Sequence, residues 1–244
     1  ARVRVACIGT GGRGKDHVRF YSQHECTEVT AICDVNQNVR EAMAKKLTEE
    51  TGKTPFISAD MREIMGRDDV DAISTATPNH WHTLTAIWAC QAGKDVYVEK
   101  PLSHTLWEGR QLVAAQAKYG RIVQHGTQSR SNLTWQRDVA LMREGIIGVL
   151  HTSRGTGYKN GNRGALPLYE DGAPPPELDW MLWQGPTPDQ PYNKNYVPYN
   201  WHWFWRYGNG EIGNQGVHEV DKAVWMINKG LPVKVYSAGG RYTY

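Results

Sequence analysis

Short apolar, β-branched runs alternate with helix-like segments along the first half of the chain. Runs of this kind are typical of buried strands, and the longer segments between them have helical composition. Strands that alternate with helices indicate a parallel, doubly wound α/β sheet with right-handed crossovers. The predicted strands are residues 3–8, 28–33, 71–75, 95–98 and 121–125, and the predicted helices are residues 15–23, 39–50, 80–92 and 105–119.

The pattern changes after residue 125, so we divide the chain into a first domain at 1–125 and a second at 126–244. Residues 158–205 are rich in Pro, Gly, Asn, Tyr and Trp. They predict a long irregular segment, and such segments are usually functional. Apolar residues recur at helical spacing over 217–228, and Gly230 follows as a stop signal. Strand-like runs are predicted at 150–156, 233–238 and 241–244.

Composition narrows the class of protein. Hydrophobic residues make up 40% of the chain and charged residues 22%, and the net charge is only +3. Lys and Arg are scattered, which argues against a nucleic-acid partner. No apolar run approaches the roughly 18 residues that predict a membrane span, so we expect no membrane partner. The four cysteines lack CxxC spacing, which predicts free thiols, buried at Cys7 and Cys33, and no disulfide or metal site.

The chain begins at Ala1, directly before a strand and without an initiator methionine. A targeting segment removed from the mature protein is compatible with such a start. The compartment is therefore left open between the cytoplasm, which is the default, and export in folded form.

A glycine-rich turn joins the first predicted strand to the first predicted helix and fits the dinucleotide-binding pattern GxGxxG. Its glycines allow a tight turn and let the backbone approach a pyrophosphate, which the helix N-terminus faces with unpaired N–H groups. Asp34 follows at the end of the second strand, where a carboxylate binds ribose hydroxyls and repels a 2′-phosphate. NAD is therefore predicted over NADP, with Arg13 and Arg40 as alternative phosphate partners. The cofactor residues assigned to this turn are Gly9, Gly11, Gly12, Arg13 and Gly14.

Three further segments point beyond a generic dinucleotide-binding domain. They are Thr77-Pro78-Asn79-His80-Trp81-His82, Glu99-Lys100-Pro101 and Gly213-Asn214-Gln215-Gly216-Val217-His218-Glu219-Val220-Asp221. Together with the glycine turn, they resemble the glucose–fructose oxidoreductase and inositol dehydrogenase family (Gfo/Idh/MocA) over nearly the whole chain. The resemblance implies a Rossmann domain followed by an α+β domain, whose open, mostly antiparallel sheet covers the nicotinamide.

Members of this family commonly oxidise or reduce sugars, polyols and related compounds with tightly held NAD or NADP. The resemblance therefore implies a sugar or polyol as the small-molecule substrate and NAD as the cofactor. It also implies a homo-oligomer, a dimer or tetramer, formed through the sheet of the second domain. Because the family's second domain is normally longer, we expect this chain to end inside that domain.

The resemblance assigns Lys100 and His218 to catalysis. Lys100 follows a strand at the ligand-binding edge of an open α/β sheet, where an ammonium group can polarise a carbonyl or relay a proton. His218 lies near the start of the predicted helix, and imidazole suits proton transfer near neutral pH. A surface lysine and a packing histidine are the alternatives at these two positions.

The resemblance also places residues from two strand ends around the nicotinamide half of the cofactor. A helix entry with a proline turn is the alternative explanation of the first group. The residues assigned to the cofactor here are Thr77, Pro78, Asn79, His82, Glu99 and Lys100.

Asn214 departs from the family pattern, because dehydrogenases of the family usually carry Asp four residues before the histidine. An asparagine cannot act as a base, although it can hydrogen-bond a substrate hydroxyl. We therefore assign Asn214 and Asp221 to substrate binding and restrict the catalytic pair to Lys100 and His218.

Six of the ten tryptophans lie at or beyond residue 180. Their rings can stack on a sugar, fill a core or form an oligomer interface, and these three explanations stay open. The alternation of Trp201, Trp203 and Trp205 predicts three rings on one face of a strand. Trp203 and Arg206 are taken as candidates for substrate binding.

The leading hypothesis is an NAD-dependent oxidoreductase acting on a sugar, polyol or glycoside hydroxyl. In a second hypothesis, bound NAD transiently oxidises a glycoside, the aglycone is eliminated and the cofactor is restored, so that the net reaction is hydrolysis or elimination. A third hypothesis is a catalytically silent NAD-binding protein, which the presence of both Lys100 and His218 disfavours.

Overall fold

The computed structural model describes residues 2–157 and 166–240. The chain forms two compact units. Unit 1 comprises Ala1–Gly126 and Tyr169–Gly210, and unit 2 comprises Thr127–Leu168 and Glu211–Tyr244. The sequence predicts a single boundary at 125–126. In the structure, by contrast, Tyr169–Gly210 packs with the first unit.

Unit 1 contains a six-stranded sheet in the order β3-β2-β1-β4-β5-β6, and every neighbouring pair is parallel. The chain moves outward from β1 to β3 and then crosses to β4 on the other side of β1, which makes this position the topological switch point of the sheet. The five predicted strands and the doubly wound topology are confirmed. The strands are β1 (Val3–Ile8), β2 (Thr27–Cys33), β3 (Phe56–Ser58), β4 (Ala72–Thr75), β5 (Asp95–Glu99) and β6 (Val123–Gly126).

Five helices accompany the sheet, and four of them coincide with predicted ones. Side-chain caps explain where two of them begin. The Asn36 side chain accepts a hydrogen bond from the backbone of Val39, and Thr105 forms a reciprocal capping box with Glu108. The helices are α1 (Gly14–Gln23), α2 (Gln37–Thr51), α3 (Met61–Met65), α4 (Asn79–Gln91) and α5 (Leu106–Tyr119).

Two elements between β2 and β4 are not predicted from the sequence. Strand β3 has only three residues and pairs with β2 alone, at the edge of the sheet. Helix α3 has five residues and begins at a cap, the side chain of Asp60, which accepts from the Arg62 N–H. Elements this short carry too few residues for a clear hydrophobic period.

The cysteines behave as expected for free thiols. Cys7 and Cys33 are buried on β1 and β2, Cys90 is buried on α4, and none of the four forms a disulfide. Burial raises the pKa of the Cys7 thiol to about 12. The three buried cysteines therefore serve as small apolar core residues, whereas Cys26 is exposed.

Residues 169–210 bring an aromatic cluster to unit 1. Helix α7 (Trp180–Gln184) stacks Trp180 on Trp183 with ring centroids 4.9 Å apart, and Tyr207 meets Trp183 edge-on at 4.7 Å. Trp201 is also buried in the cluster, which supports the core-packing explanation for these three tryptophans.

The predicted strand that would align alternate tryptophans is wrong. Residues Asn200–Trp203 form a 3₁₀ turn, in which side chains repeat every three residues and not every two. Trp201 is therefore buried, whereas Trp205 is 88% exposed.

Unit 2 is helical in the part that the structure describes. Its helices are α6 (Leu133–Arg143) and α8 (Val217–Ile227), preceded by a 3₁₀ turn at Gln128–Ser131 and a π-helical turn at Ile212–Gly216. The helix predicted at 217–228 is therefore confirmed to within one residue.

The strands predicted at 150–156 and 233–238 do not form. A strand exists only where a partner accepts its backbone hydrogen bonds, and the described residues of unit 2 supply no such partner. The run at 241–244 lies outside the described residues. Along the described ranges, no helix combines the length and apolar character that crossing a membrane requires.

Trp183 is 6% exposed and central to the aromatic cluster, so Trp183→Ala should lower the free energy of unfolding by about 3–5 kcal/mol. Urea unfolding followed by circular dichroism measures the change. Trp205→Ala is the matched control, since its exposed ring should leave stability within about 0.5 kcal/mol. Equal effects of the two substitutions would contradict the assignment of Trp183 to the core.

Candidate functional site

The carboxyl ends of β1, β4 and β5 lie side by side at one edge of the sheet, because these strands are parallel neighbours. The glycine turn follows β1, Thr77 and Pro78 follow β4, and Lys100 follows β5. Ligands of open α/β sheets bind at this edge, in the crevice at the switch point. Here that crevice lies between the ends of β1 and β4.

Gly9 and Gly14 are required by the packing of the protein itself. Gly9 has a φ of 77°, and a Cβ there would lie 2.9 Å from the Thr77 nitrogen. A Cβ on Gly14 would lie 2.0 Å from the carbonyl oxygen of Gly9. Only glycine lets α1 start this close to the end of β1, with its N-terminus at the switch point.

Gly11 and Gly12 are not required by packing. A Cβ on Gly11 would make ordinary contacts, at 3.7 Å to Val39 and 3.9 Å to Asp34, and one on Gly12 would meet nothing within 4 Å. Open space beside these two glycines, at the N-terminal end of α1, is what a pyrophosphate needs. The turn therefore fits a dinucleotide.

Asp34 is held beside this turn by backbone amides. Its Oδ2 accepts from the Thr10 N–H at 2.7 Å and its Oδ1 from the Asn36 N–H at 3.0 Å. Burial raises the pKa of Asp34, and these hydrogen bonds partly oppose the rise. The Asp34 side chain is partly exposed beside the open turn, which is where ribose hydroxyls meet the acidic residue of a dinucleotide site. The Arg40 guanidinium donates to the Asp34 carbonyl oxygen at 3.3 Å, so it is tied to the protein.

His82 connects two loops at the edge of the sheet. It is 1% exposed, with Nε2 2.7 Å from the Thr77 carbonyl oxygen and Nδ1 2.6 Å from the Pro101 carbonyl oxygen. Burial lowers the pKa of His82. A neutral imidazole carries one N–H, which donates to one of these two carbonyl oxygens, and the buried ring lies between the loop after β4 and the loop after β5. The Lys100–Pro101 peptide bond is cis.

Asn79 is buried at the start of α4 and is hydrogen-bonded to the second segment of unit 1, Tyr169–Gly210. Its side-chain amide donates to Asn209 Oδ1 at 2.9 Å, and the Asn209 amide donates to the His104 carbonyl oxygen at 2.7 Å. The sequence offered no signal for Asn209, because its partner is 130 residues away.

The same segment covers the next residues of α4. His80 Nε2 lies 3.0 Å from the Trp183 carbonyl oxygen, and the Trp81 indole donates to that oxygen at 3.1 Å. Burial lowers the pKa of His80 to about 4. Both side chains are therefore structural.

Glu99 ends β5 inside a buried polar cluster. Its Oε1 lies 3.2 Å from His17 Nε2 and 3.4 Å from Arg13 Nε, and its Oε2 accepts from the Lys100 N–H at 3.0 Å. Burial by itself raises the pKa of Glu99. The hydrogen bonds from His17 and Lys100 and the nearby charges outweigh burial and lower the pKa to about 2.

Sequence reasoning missed His17 and Ser74, which belong to this cluster. Ser74 Oγ lies 2.9 Å from His17 Nδ1. The available signal was weak: Gly14, His17 and Val18 share the buried face of α1, where a polar residue needs a partner.

Unit 2 carries the predicted residues of the second half. Asn214 lies in the π-helical turn, and His218 is the second residue of α8. Asp221, one turn further along, forms a bidentate ion pair with Arg130 at 2.8 and 2.9 Å. The Arg130 guanidinium also lies over the Trp225 ring, 4.5 Å from its centroid. The Asp221 carboxylate therefore anchors α8 to the turn after β6.

Trp203 and Arg206 lie within Tyr169–Gly210 of unit 1. Trp203 is half-buried and meets Tyr199 edge-on at 5.6 Å. Arg206 is exposed, and its guanidinium donates to the Pro188 carbonyl oxygen at 3.0 Å.

A parallel sheet with an open glycine turn at its switch point defines a dinucleotide-binding α/β protein. Residues 3–127 match the model of the Gfo/Idh/MocA oxidoreductase family described as an NAD-binding Rossmann fold. Residues 142–239 match the model of an oxidoreductase-family C-terminal alpha/beta domain. The chain belongs to the Gfo/Idh/MocA family, and its first domain is the family's NAD-binding domain.

Curated relatives include glycosyl hydrolase family 109 protein 1 of Shewanella sp. (strain ANA-3), which is 31% identical over 156 residues. The alpha-N-acetylgalactosaminidase of Shewanella oneidensis is 30% identical over 156 residues. Each match covers 61% of this chain and 33% of the relative, so the chain spans about a third of the length of these proteins.

Among solved structures, the WlbA dehydrogenase of Bordetella pertussis, in complex with NADH and UDP-GlcNAcA, is similar with a TM-score of 0.66 and 23% identity. The match covers 93% of this chain and 55% of WlbA. At this level of identity the likeness shows a shared fold.

Gly14→Ala and Gly12→Ala should separate packing from ligand space. The added methyl at position 14 collides with the Gly9 carbonyl, so we expect a lower melting temperature together with weaker NAD binding. At position 12 the methyl meets no protein atom, so stability should be unchanged while NAD binding weakens. Thermal denaturation and calorimetric titration with NAD measure the two effects. Full NAD affinity in Gly12→Ala would exclude this side of the turn as the pyrophosphate site.

Glu99 should contribute to stability in a defined pH window. Its pKa falls from 4.5 to about 2 on folding, so its contribution is complete above pH 4.5 and is lost as the pH falls from 4.5 to 2. Glu99→Gln should therefore flatten the dependence of unfolding free energy on pH in that window. Glu49→Gln, at an exposed position on α2, should keep the slope of the unaltered protein. Urea unfolding at several acidic pH values tests this, and equal slopes for all three proteins would refute it.

Proposed function

We propose that this protein is an NAD-dependent oxidoreductase acting on a hydroxyl group of a sugar, polyol or glycoside. The observation that carries the proposal is the position of Lys100, which follows β5 at the sheet edge that also carries the open glycine turn. The family match supports both the cofactor and the class of reaction.

When bound, NAD would supply the hydride acceptor for the carbon that bears the substrate hydroxyl. The residues that would hold it are the glycine turn, with the α1 N-terminus at the pyrophosphate, and Asp34 at the adenosine ribose. The Asp34 carboxylate would lie where NADP carries a phosphate, and its partly exposed charge favours NAD.

Lys100 would hold and polarise the substrate oxygen. Its backbone N–H donates to Glu99, and His82 contacts the loop that follows at Pro101. The backbone is therefore held in place on both sides of Lys100. His218 remains the proposed base from its residue type and its place in the family motif. Asn214 and Asp221 remain proposed substrate residues, and Asp221 would act through the helix that it anchors.

A second function is favoured by the relatives. Two of them are named as a glycosyl hydrolase family 109 protein and an alpha-N-acetylgalactosaminidase. In the corresponding proposal, this chain uses NAD catalytically to cleave a glycoside without net redox change. Asn214, where dehydrogenases of the family usually carry Asp, leaves this reaction open.

One assay with two readouts distinguishes the two functions. The protein is incubated with NAD and either myo-inositol or p-nitrophenyl α-N-acetylgalactosaminide. An oxidoreductase produces NADH in proportion to oxidised substrate, whereas a hydrolase releases nitrophenol with no accumulation of NADH. If neither substrate reacts while NAD still binds, a silent NAD-binding protein becomes the better description.

Lys100→Ala and His218→Ala should each lower turnover by about 10²–10⁴, the usual cost of removing a positioned acid–base group. NAD affinity should stay within a few-fold, because neither residue is assigned to the adenosine half. Lys118→Ala and His151→Ala replace exposed residues of unit 1 and unit 2 and serve as controls. Steady-state rates and NAD titrations measure these effects. Full turnover in either test variant would remove that residue from the mechanism.

A further inference from the structure

A chain of buried polar groups runs beneath the edge that carries Lys100. Ser74 on β4 contacts His17 Nδ1 at 2.9 Å, and His17 Nε2 lies 3.2 Å from Glu99 Oε1. His17 is 5% exposed and Glu99 is 4% exposed. These three polar side chains therefore link α1, β4 and β5 inside unit 1, at the end of the strand that precedes Lys100.

The orientation of the His17 ring is fixed on both sides. The Nε2 atom of His17 lies within hydrogen-bond distance of the ionised Glu99 carboxylate, to which its N–H donates, and Nδ1 lies within hydrogen-bond distance of the Ser74 hydroxyl. The Tyr97 ring also meets the His17 ring in a T-shaped arrangement, with ring centroids 5.3 Å apart and an angle of 86° between the ring planes. With both nitrogens in use and almost no exposure, His17 has no direct access to substrate.

The other carboxylate oxygen of Glu99 reaches the predicted catalytic position. Its Oε2 accepts from the backbone N–H of Lys100 at 3.0 Å. Rotation of the Glu99 side chain would break this contact, and the His17 hydrogen bond opposes that rotation. Arg13, from the glycine turn, contacts Oε1 at 3.4 Å and is more exposed, so it offers a weaker restraint.

Stability does not require an ionised group at this position. The hydrogen bonds and charges around Glu99 outweigh the cost of burying its carboxylate, but apolar residues of similar volume often replace a buried ionised group without loss of stability. A fixed carboxylate can accept a hydrogen bond from the backbone N–H of Lys100 and so hold the backbone at that residue, which an apolar side chain cannot do.

We propose that His17 is a positioning residue for Lys100, acting through the carboxylate of Glu99. The consequence for function rests on the proposed role of Lys100, whereas the positioning itself is a property of the protein without ligand. His17 is thus assigned to the support of the nicotinamide end of the site, although it lies on the helix that begins at the pyrophosphate turn.

The test compares His17→Leu, which removes the donor, with His17→Gln, whose side-chain amide can still donate to Glu99. Amide hydrogen exchange of the full chain, read by NMR without NAD, reports directly on the Lys100 N–H. In His17→Leu we expect its exchange to accelerate about tenfold, the effect of losing one hydrogen bond of ordinary net strength. His17→Gln should restore slow exchange. His80→Leu, which removes an equally buried histidine that does not contact Glu99, should leave the Lys100 amide unchanged.

Activity supplies a second readout once a substrate is known. His17→Leu should lower kcat by about 10- to 100-fold, as misplacement of a catalytic group does, and leave the KM for NAD within twofold. Failure of the proposed reaction would appear as absent turnover in the unaltered protein, which leaves the exchange result standing.

Three outcomes would overturn the inference: unchanged Lys100 exchange in His17→Leu, no rescue by His17→Gln, or equal acceleration in His80→Leu. If His17→Leu does not fold, Glu99→Gln replaces it, because that change keeps the side-chain volume and removes the charge that orders the cluster. Slow Lys100 exchange in folded Glu99→Gln would then refute the proposal, and selectively faster exchange would support it.

Discussion

The close approach of α1 to the end of β1 is the constraint on which the rest of unit 1 depends. The Gly9 carbonyl lies where a side chain at position 14 would need to be, and Gly9 itself lies against the backbone before Thr77. This packing brings the ends of β1 and β4 and the start of α1 to one point. Replacement of either glycine would separate them, because backbone atoms cannot rotate away as side chains do. The site is therefore set by backbone contact before any functional side chain is considered.

Buried polar side chains then hold the loops that surround this point. Asp34 holds the glycine turn through the Thr10 amide, His82 joins the loops after β4 and β5, and Glu99 fixes the backbone at Lys100. Each of them makes hydrogen bonds to the protein itself. These side chains therefore determine the position of the loops, whatever contacts they also make with a ligand.

The sequence allowed the parallel sheet, the glycine turn and the family to be predicted, because these features follow from local patterns. Strand runs, glycines and the spacing to Asp34 are each readable within a few tens of residues. The contacts of His17 with Ser74 and of Asn79 with Asn209 join residues 57 and 130 positions apart and leave no local periodicity. The tryptophans were ambiguous for the same reason. Their alternation suggested a strand, whereas Asn200–Trp203 form a 3₁₀ turn that buries Trp201 in the aromatic cluster, and Trp205 is exposed.

Unit 1 is discontinuous in sequence, and this has a consequence for the order of folding. The Trp81 indole packs against Gly185, where a side chain would overlap its ring, and it donates to carbonyl oxygens of Leu182 and Trp183. During synthesis, the sheet and α4 emerge well before the residues that cover Trp81. Until residues 182–185 have emerged, the Trp81 indole and the neighbouring His80 ring lack the backbone that covers them. Exposed apolar surface of this kind promotes aggregation, so the interval between the synthesis of residue 126 and that of residue 185 is the period when the nascent chain is most exposed to it.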